Sequence, residues 1–336
     1  MNYNYISIFS MKKSLVILGP TATGKTDLAL SLAKKFEGEL VACDSRQVYV
    51  DLDIGTGKLP SGRWKVDDGR WKKGKGFWCL DGVKVWMYDV VFLEKQYTVD
   101  NYVKDANKAI ADIIKIGKMP IVVGGTGLYL RALLDGLSNL EIPIDDKLRE
   151  QLSNLNKEQL QEKLQKLNKQ KWKDLNISDR QNPRRLIRAI ELATASLPVL
   201  LNQQERDDTL KIGLTAPREY LYKKIDSKVY EWIQEGIVNE VESLVKKGIT
   251  KERISNLGLE YRVIIEYLDK QISFEQMIKT MQEKTRQYSK RQLVWFKNPK
   301  VCKGPINWFD ITKKNCCTEI ENLVAKWYDG SNGAKN

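Results

Sequence analysis

Leu15-Val16-Ile17-Leu18-Gly19-Pro20-Thr21-Ala22-Thr23-Gly24-Lys25-Thr26 decides the fold of this chain. The apolar run reads as a buried strand, and Gly19 to Thr26 fits the phosphate-loop pattern G-x-x-x-x-G-K-[ST]. Asp27 to Lys35 continues with helical apolar spacing, so the loop opens a helix whose N–H groups and positive dipole end face a single anion. In such a loop Gly19, Pro20, Thr21, Ala22, Thr23, Gly24, Lys25 and Thr26 wrap a di- or triphosphate. Lys25 reaches the terminal phosphates, and Thr26 offers its hydroxyl to Mg²⁺.

Working outward, Glu39-Leu40-Val41-Ala42-Cys43 is a second short apolar run, ending at Asp44-Ser45-Arg46-Gln47. A third, Pro120-Ile121-Val122-Val123, enters the glycine turn Gly124-Gly125-Thr126-Gly127-Leu128-Tyr129, and Val99 to Ile116 before it has the spacing of an amphipathic crossover helix. The order β-α-β, then α-β-α, predicts an α/β fold with a P-loop NTPase-like parallel sheet flanked by helices. Ile212-Gly213-Leu214 reads as a return to that sheet, followed by long helices from Arg218 to Lys247 and from Phe274 to Phe296.

Between these parts the texture changes to polar, Lys/Gln/Asn-rich helical sequence, with Leu148, Leu152, Leu155, Leu160, Leu164 and Leu167 at helical intervals. The expected organisation is a catalytic core over 11–138 and 200–325 with an all-helical subdomain inserted at 139–199. Residues 1–10 and 328–336 are expected to be disordered.

Lys plus Arg outnumber Asp plus Glu by 56 to 43 in 336 residues, a formal charge of +13 that suggests a polyanionic partner, nucleic acid first. No apolar stretch approaches the roughly 18 residues of a membrane span, so the chain is expected to stay in the cytoplasm without membrane contact. It contains no histidine, which excludes Ser-His-Asp and Cys-His schemes and leaves carboxylate, lysine, tyrosine or cysteine as general base. Cys43, Cys79, Cys302, Cys316 and Cys317 lack C-x-x-C spacing, so neither a zinc site nor disulfides are expected.

Asp44, at the carboxyl end of a strand beside the phosphate loop, offers a general base, a Mg²⁺ ligand or a helix cap. Thr126 is placed to bond a leaving oxygen or to cap a helix. Arg218 follows the returning strand and could clamp a diphosphate bidentately or sit in a surface ion pair. From Lys270 to Lys300 there are eight basic and two acidic residues, with Tyr288, Trp295 and Phe296 among them. On a helix, Lys284, Tyr288, Arg291 and Trp295 share a face, as a phosphate-tracking and base-stacking surface requires. Further basic clusters run from Asp179 to Arg188 and from Arg63 to Lys75, the latter with Trp64 and Trp71 among its lysines.

Together these segments resemble the tRNA dimethylallyltransferase family from about Ser14 to Phe309. The resemblance rests on the phosphate loop, on Asp44 to Tyr49, on Asp53-Ile54-Gly55-Thr56-Gly57-Lys58 and on Val123 to Tyr129. Arg184 to Glu191 and Thr285 to Phe296 extend it. It implies that the loop and Mg²⁺ hold dimethylallyl diphosphate, whose prenyl group passes to N6 of adenosine 37 beside the anticodon of tRNAs reading codons that begin with U. Asp44 matches the residue taking the N6 proton, Thr126 the one at the bridging oxygen, and Arg218 the one neutralising the diphosphate. The matched tRNA contacts are Asp44, Ser45, Arg46, Gln47, Thr126, Arg149, Arg184, Arg185, Leu186, Ile187, Arg188, Lys290, Arg291, Gln292 and Trp295. A flipped-out adenosine and a monomeric enzyme are expected.

This chain departs from the family pattern twice. Val85-Trp86-Met87-Tyr88 stands where a Pro-His-His-Leu type segment is usual, after a longer, more basic and aromatic 58–84 stretch, and Leu257-Gly258-Leu259-Glu260-Tyr261 replaces Ile-Gly-Tyr-Lys/Arg-Glu. A P-loop kinase would leave the basic aromatic helix and the insertion without a role. Prenylation of a free adenine nucleotide would need neither the insertion nor the charge. An RNA-binding protein with a degenerate loop conflicts with the intact Lys25, Thr26, Asp44 and Thr126.

Overall fold

The computed structural model describes residues 13–59, 71–137, 142, 144–195, 208–299 and 301–329, and the statements below concern these. The ends expected to be disordered lie outside them except for residues 328 and 329, which are helical. The basic cluster at 63–70 also lies outside.

β1 (Ser14–Leu18), α1 (Lys25–Lys35) and β2 (Gly38–Cys43) open the chain. An antiparallel excursion follows, β3 (Trp71–Gly74), β4 (Phe77–Leu80) and β5 (Val83–Trp86), then α2 (Val99–Lys115), β6 (Met119–Gly124) and α3 (Gly127–Asp135). A separate compact unit spans 136–204, with α4 (Asp146–Ser153), α5 (Lys157–Leu167), α6 (Lys169–Asp174), α7 (Ile177–Arg180) and α8 (Pro183–Thr194). The first unit resumes with β7 (Thr209–Thr215), α9 (Arg218–Glu235), α10 (Ile237–Lys246), α11 (Lys251–Ser255), α12 (Leu259–Leu268), α13 (Phe274–Phe296), β8 (Asn307–Asp310) and α14 (Cys316–Asp329).

The sheet has the order β3-β4-β5-β2-β6-β1-β7-β8. β1, β2, β5, β6, β7 and β8 pair in parallel, whereas β4 runs antiparallel to both neighbours. β1 and β2 are buried at every position, as strands covered on both faces must be, which is why they appear in the sequence as unbroken apolar runs. Burial of Leu15, Ile17, Leu40 and Val122 with Leu30, Ile110 and Ile113 joins sheet and helices in one core. Because β6 lies between β1 and β2 while β7 lies on the other side of β1, the strand order reverses there. The carboxyl ends of β1, β2 and β6 therefore open one crevice.

The expected long helix after β7 is broken. Gly236 adopts φ +93°, a left-handed value that ends α9 and lets α10 start in a new direction. α14 runs on through Asp329, so Tyr328 and Asp329 are helical, not part of a disordered tail; Lys13 donates to the carbonyl of Tyr328.

In the 136–204 unit the asparagines that made the sequence look polar are helix caps: Asn156, Asn168, Asn176 and Asn182 each accept an N–H from the first turn. Leu152, Leu160 and Leu164 pack on Leu186, Ala189 and Ile190, with Leu148 and Leu155 at the margin. Leu167, expected in that row, is exposed at the end of α5.

Candidate active site

The phosphate loop leaves β1 at Gly19, where a side chain would come within 2.5 Å of the Leu214 carbonyl oxygen. It enters α1 through Gly24, whose φ of 72° is left-handed. No side chain caps α1, so its first N–H groups point into the loop. Thr23 Oγ1 and Lys25 Nζ both donate to the Pro20 carbonyl, at 2.9 and 2.6 Å, closing the loop on itself. Burial pulls the Lys25 ammonium down to about 7, helped by the charge of Lys228 and opposed by Asp44.

At the end of β2, Asp44 accepts the Arg46 N–H at 2.9 Å, and the Arg46 guanidinium reaches Glu260 at 2.6 Å. Burial alone would lower the Arg46 pKa, but the charges of Glu260 and Asp44 hold it raised. At the end of β6, Thr126 Oγ1 accepts the Ser45 N–H at 3.2 Å, and the Thr126 N–H donates to Cys43. Gly124 permits this closeness, since a Cβ there would fall 2.1 Å from the Cys43 oxygen. Asp44 and Thr126 thus stand on adjacent strand ends beside the phosphate loop; Asp44 lines the cavity there, whereas Thr126 is not among its lining residues.

A carboxylate fixes the opposite wall. Glu240 accepts the N–H groups of Asp53, Ile54 and Gly55 at 2.8, 2.7 and 3.3 Å and the Tyr261 hydroxyl at 3.0 Å. Burial nonetheless pushes its pKa up. Gln47 donates to Thr56 across the same turn, and the buried Lys58 ammonium is held by Asp53, Asp89 and the Tyr49 carbonyl.

These elements enclose a cavity of about 750 Å³ lined by Lys25, Asp44, Arg46, Gly125, Tyr288 and Gln292, with Lys223, Lys224 and Lys228 from α9. Arg218, expected on the diphosphate, is exposed at the first position of α9 and is not among the lining residues. The three lysines do not stand out in the sequence, where spaced cations on a helix read as a solvated face. Thr285 was missed too: its hydroxyl is buried and has no hydrogen-bond partner among the described residues, and the residue lines the cavity.

On α13 the expected face divides. Lys284, Lys290 and Arg291 are exposed, whereas Tyr288 turns to the cavity, its pKa raised to about 12 by burial and then by Asp44. Trp295 packs on Gly127, where a Cβ would meet its ring at 2.4 Å. Gln292, expected at the RNA, is buried at the cavity, accepts the Thr21 N–H at 2.9 Å and donates to the Gly125 carbonyl at 2.9 Å.

The family model described as IPP transferase matches residues 47–299, and one described as isopentenyl transferase matches 12–64. The chain belongs to the IPP transferase family. Among curated relatives of this IPP transferase, tRNA dimethylallyltransferase 2 of Treponema denticola is 36% identical over 92% of the chain and 99% of its own length. The tRNA dimethylallyltransferase of Acetivibrio thermocellus is 36% identical over 85% and 89%. Among solved structures, the tRNA isopentenylpyrophosphate transferase of Bacillus halodurans superposes with a TM-score of 0.68 at 29% identity, covering 97% of this chain and 99% of its own. A eukaryotic dimethylallyltransferase described as acting on tRNA gives a TM-score of 0.76 at 25% identity, covering 95% and 80%.

In the helical unit of this IPP transferase, Arg149 forms a bidentate pair with Glu191 at 2.6 and 2.9 Å, and Arg188 reaches the same carboxylate at 3.0 Å. Burial alone would raise the Glu191 pKa, but these two guanidiniums hold it low. Arg184 and Arg185 are exposed, and Arg185 pairs with Asp179. Leu186, expected at the RNA, has its side chain fully buried in the core of the unit, and Ile187 packs beside it.

Proposed function

We propose that this chain transfers the dimethylallyl group of dimethylallyl diphosphate to N6 of adenosine 37, beside the anticodon, in tRNAs reading codons that begin with U. Diphosphate is released. The observation that carries this reading is a phosphate loop and Asp44 lining one cavity, with Thr126 next to the lining residue Gly125 on the adjacent strand end and bonded to the Ser45 N–H. A kinase needs the loop; a carboxylate and a hydroxyl beside it also suit attack by an amine on an allylic carbon.

The loop N–H groups, Lys25 and the α9 lysines hold the diphosphate and stabilise the charge that grows on it as the allylic C–O bond breaks. Thr126, its Oγ1 oriented by the Ser45 N–H, donates a hydrogen bond to the bridging oxygen and keeps its proton. The N6 lone pair forms the new bond to carbon, and Asp44, fixed by the Arg46 N–H, accepts the proton that N6 loses. Arg218 is read as a further cation for the leaving group, on the resemblance alone.

Mg²⁺ fits the donors present. Thr26 stands in the first turn of α1, and among the described residues no trio of Asp, Glu, Cys or His is grouped to hold a cation alone. Mg²⁺ would therefore take the Thr26 hydroxyl together with diphosphate oxygens, as this ion usually does, and would neutralise phosphate charge. No described helix is long and apolar enough to cross a membrane; a monomer working in the cytoplasm accords with a tRNA substrate.

The test is to incubate the protein with Mg²⁺, dimethylallyl diphosphate and an anticodon stem-loop carrying adenosines at and beside position 37, then digest the RNA and weigh its nucleosides. Isopentenyladenosine in the RNA and none from AMP is the expected result. Prenylated AMP, or ATP consumption without prenylation, overturns the proposal.

A further inference from the structure

The antiparallel excursion β3–β5 falls where this chain departs from its family's sequence pattern, and its register places it at the site. β5 is parallel to β2, with Leu40 opposite Val85 and Val41 opposite Trp86, so Trp86 lies toward the carboxyl edge that bears Asp44. β4 runs back antiparallel, pairing Phe77 with Trp86, and β3 pairs Gly74 with Phe77. The turn at Lys75 and Gly76 therefore sits on the ligand-binding edge of the sheet, two strands beyond β5. The Met87 N–H donates to the Gly76 carbonyl at 3.1 Å, and the next residue, Tyr88, lines the cavity. Lys73 ties the same hairpin to the cavity wall through Asp53 at 2.6 Å, the residue whose N–H is held by Glu240.

The charge of this edge has one sign. From Trp71 to Trp86 there are four lysines and one acid. That acid, Asp81, lies in the β4–β5 turn at the far end and is paired with Lys34. Lys72 and Lys75 are exposed, and neither meets a carboxylate among the described residues. Lys84 lies over the rings of Phe77 and Trp86, at 5.1 and 5.4 Å from their centroids. Exposed cations beside half-buried aromatics, continuous with a cavity that takes an anion, match a nucleic-acid backbone in both charge and chemistry.

We infer that the β3–β4 hairpin is a second RNA-contacting surface, with Lys72 and Lys75 on phosphates of the strand leaving the cavity. This rests on the proposal that the acceptor is tRNA. The competing account is that lysines on β3 only protect an edge strand from pairing with another chain. That account explains Lys72 in the strand but not Lys75 in the turn at the ligand edge.

The experiment compares the full-length protein with its Lys72→Ala/Lys75→Ala and Lys72→Arg/Lys75→Arg doubles. Affinity for a whole tRNA is measured across about 0.05 to 0.3 M salt, and affinity for inorganic diphosphate at one salt. If both lysines neutralise phosphates, the slope of log affinity against log salt shrinks by about 0.7–0.9 per contact in the alanine double, and the arginine double keeps the wild-type slope. Diphosphate affinity stays within about twofold in both, since neither lysine lines the cavity. An unchanged slope in the alanine double, with tRNA bound as by wild type, overturns the inference and leaves the edge-guard account. Failure of the wild type to bind tRNA with any salt dependence overturns the acceptor proposal itself.

Discussion

The side-chain oxygen of Gln292 accepts the backbone N–H of Thr21 at 2.9 Å, so the C-terminal part of α13 holds the phosphate loop directly. Its nitrogen donates to Gly125 at 2.9 Å, one residue from Thr126. A single buried amide thus ties the phosphate loop to the strand end that carries Thr126. Gln292→Leu strands a donor and an acceptor, each costing about 1–3 kcal/mol when buried unpaired. We predict roughly tenfold weaker binding of inorganic diphosphate, with tRNA affinity within about twofold, by calorimetry and filter binding. A loss confined to tRNA would return Gln292 to the RNA surface.

Asp44 is tested by a substitution that keeps its shape. Asp44→Asn can still accept the Arg46 N–H but cannot take a proton at neutral pH. Loss of a positioned base costs about 10²–10⁴ in rate. Single-turnover prenylation should fall within that range, while affinity for the anticodon stem-loop changes by no more than a few fold. Turnover near wild type would remove Asp44 from the proton transfer.

The Arg46–Glu260 pair is a structural commitment of the same site. The Glu260 side chain is 4% exposed and that of Arg46 17%. Removing Glu260 leaves Arg46 only the more distant Asp44, at 3.8 Å, and costs up to about 3–5 kcal/mol, whereas replacing both by apolar residues is often close to neutral. Glu260→Leu should therefore lower stability in urea by about that amount, and Arg46→Met/Glu260→Leu should recover most of it. Equal losses in the single and double variants would contradict the argument.

What was legible in the sequence was whatever depends on local periodicity and on residues adjacent in the chain. The strand Leu15 to Leu18, the turn at Gly24 and the helix Phe274 to Phe296 are such features. So are Asp44 and Thr126, which stand at the ends of apolar runs. What was not legible depends on tertiary pairing. β3 to β5 are only four residues each and three of their residues are lysines, and their glycine turns read as loop. Gln292 is matched to an RNA contact by the resemblance, and only the folded structure shows that its amide also bonds Thr21 and Gly125. Leu186 carried the same ambiguity beside Arg185. The α9 lysines were hidden for the opposite reason, since spaced cations on a helix usually mark a solvated face, and here that face borders a cavity.

Lys25 and Lys228 couple through that cavity. The Lys25 ammonium lies near 7 instead of the usual 10.5, first because it is buried and next because Lys228 adds a like charge. A bound diphosphate favours the charged form and raises that value. In the free protein the proton is present below pH 7 and lost above it, so binding above pH 7 must take up a proton. Affinity for a non-reacting dimethylallyl diphosphate analogue should therefore fall as pH rises from about 7 to 9, by up to about tenfold per unit. Calorimetry at pH 8 in buffers of different ionisation enthalpy should register the uptake. Lys228→Met removes the like charge, so it should move the midpoint upward even while it weakens binding at pH 6. A flat profile between pH 6 and 9 would contradict the depressed Lys25, and an unmoved midpoint in Lys228→Met would show that Lys228 does not help to set it.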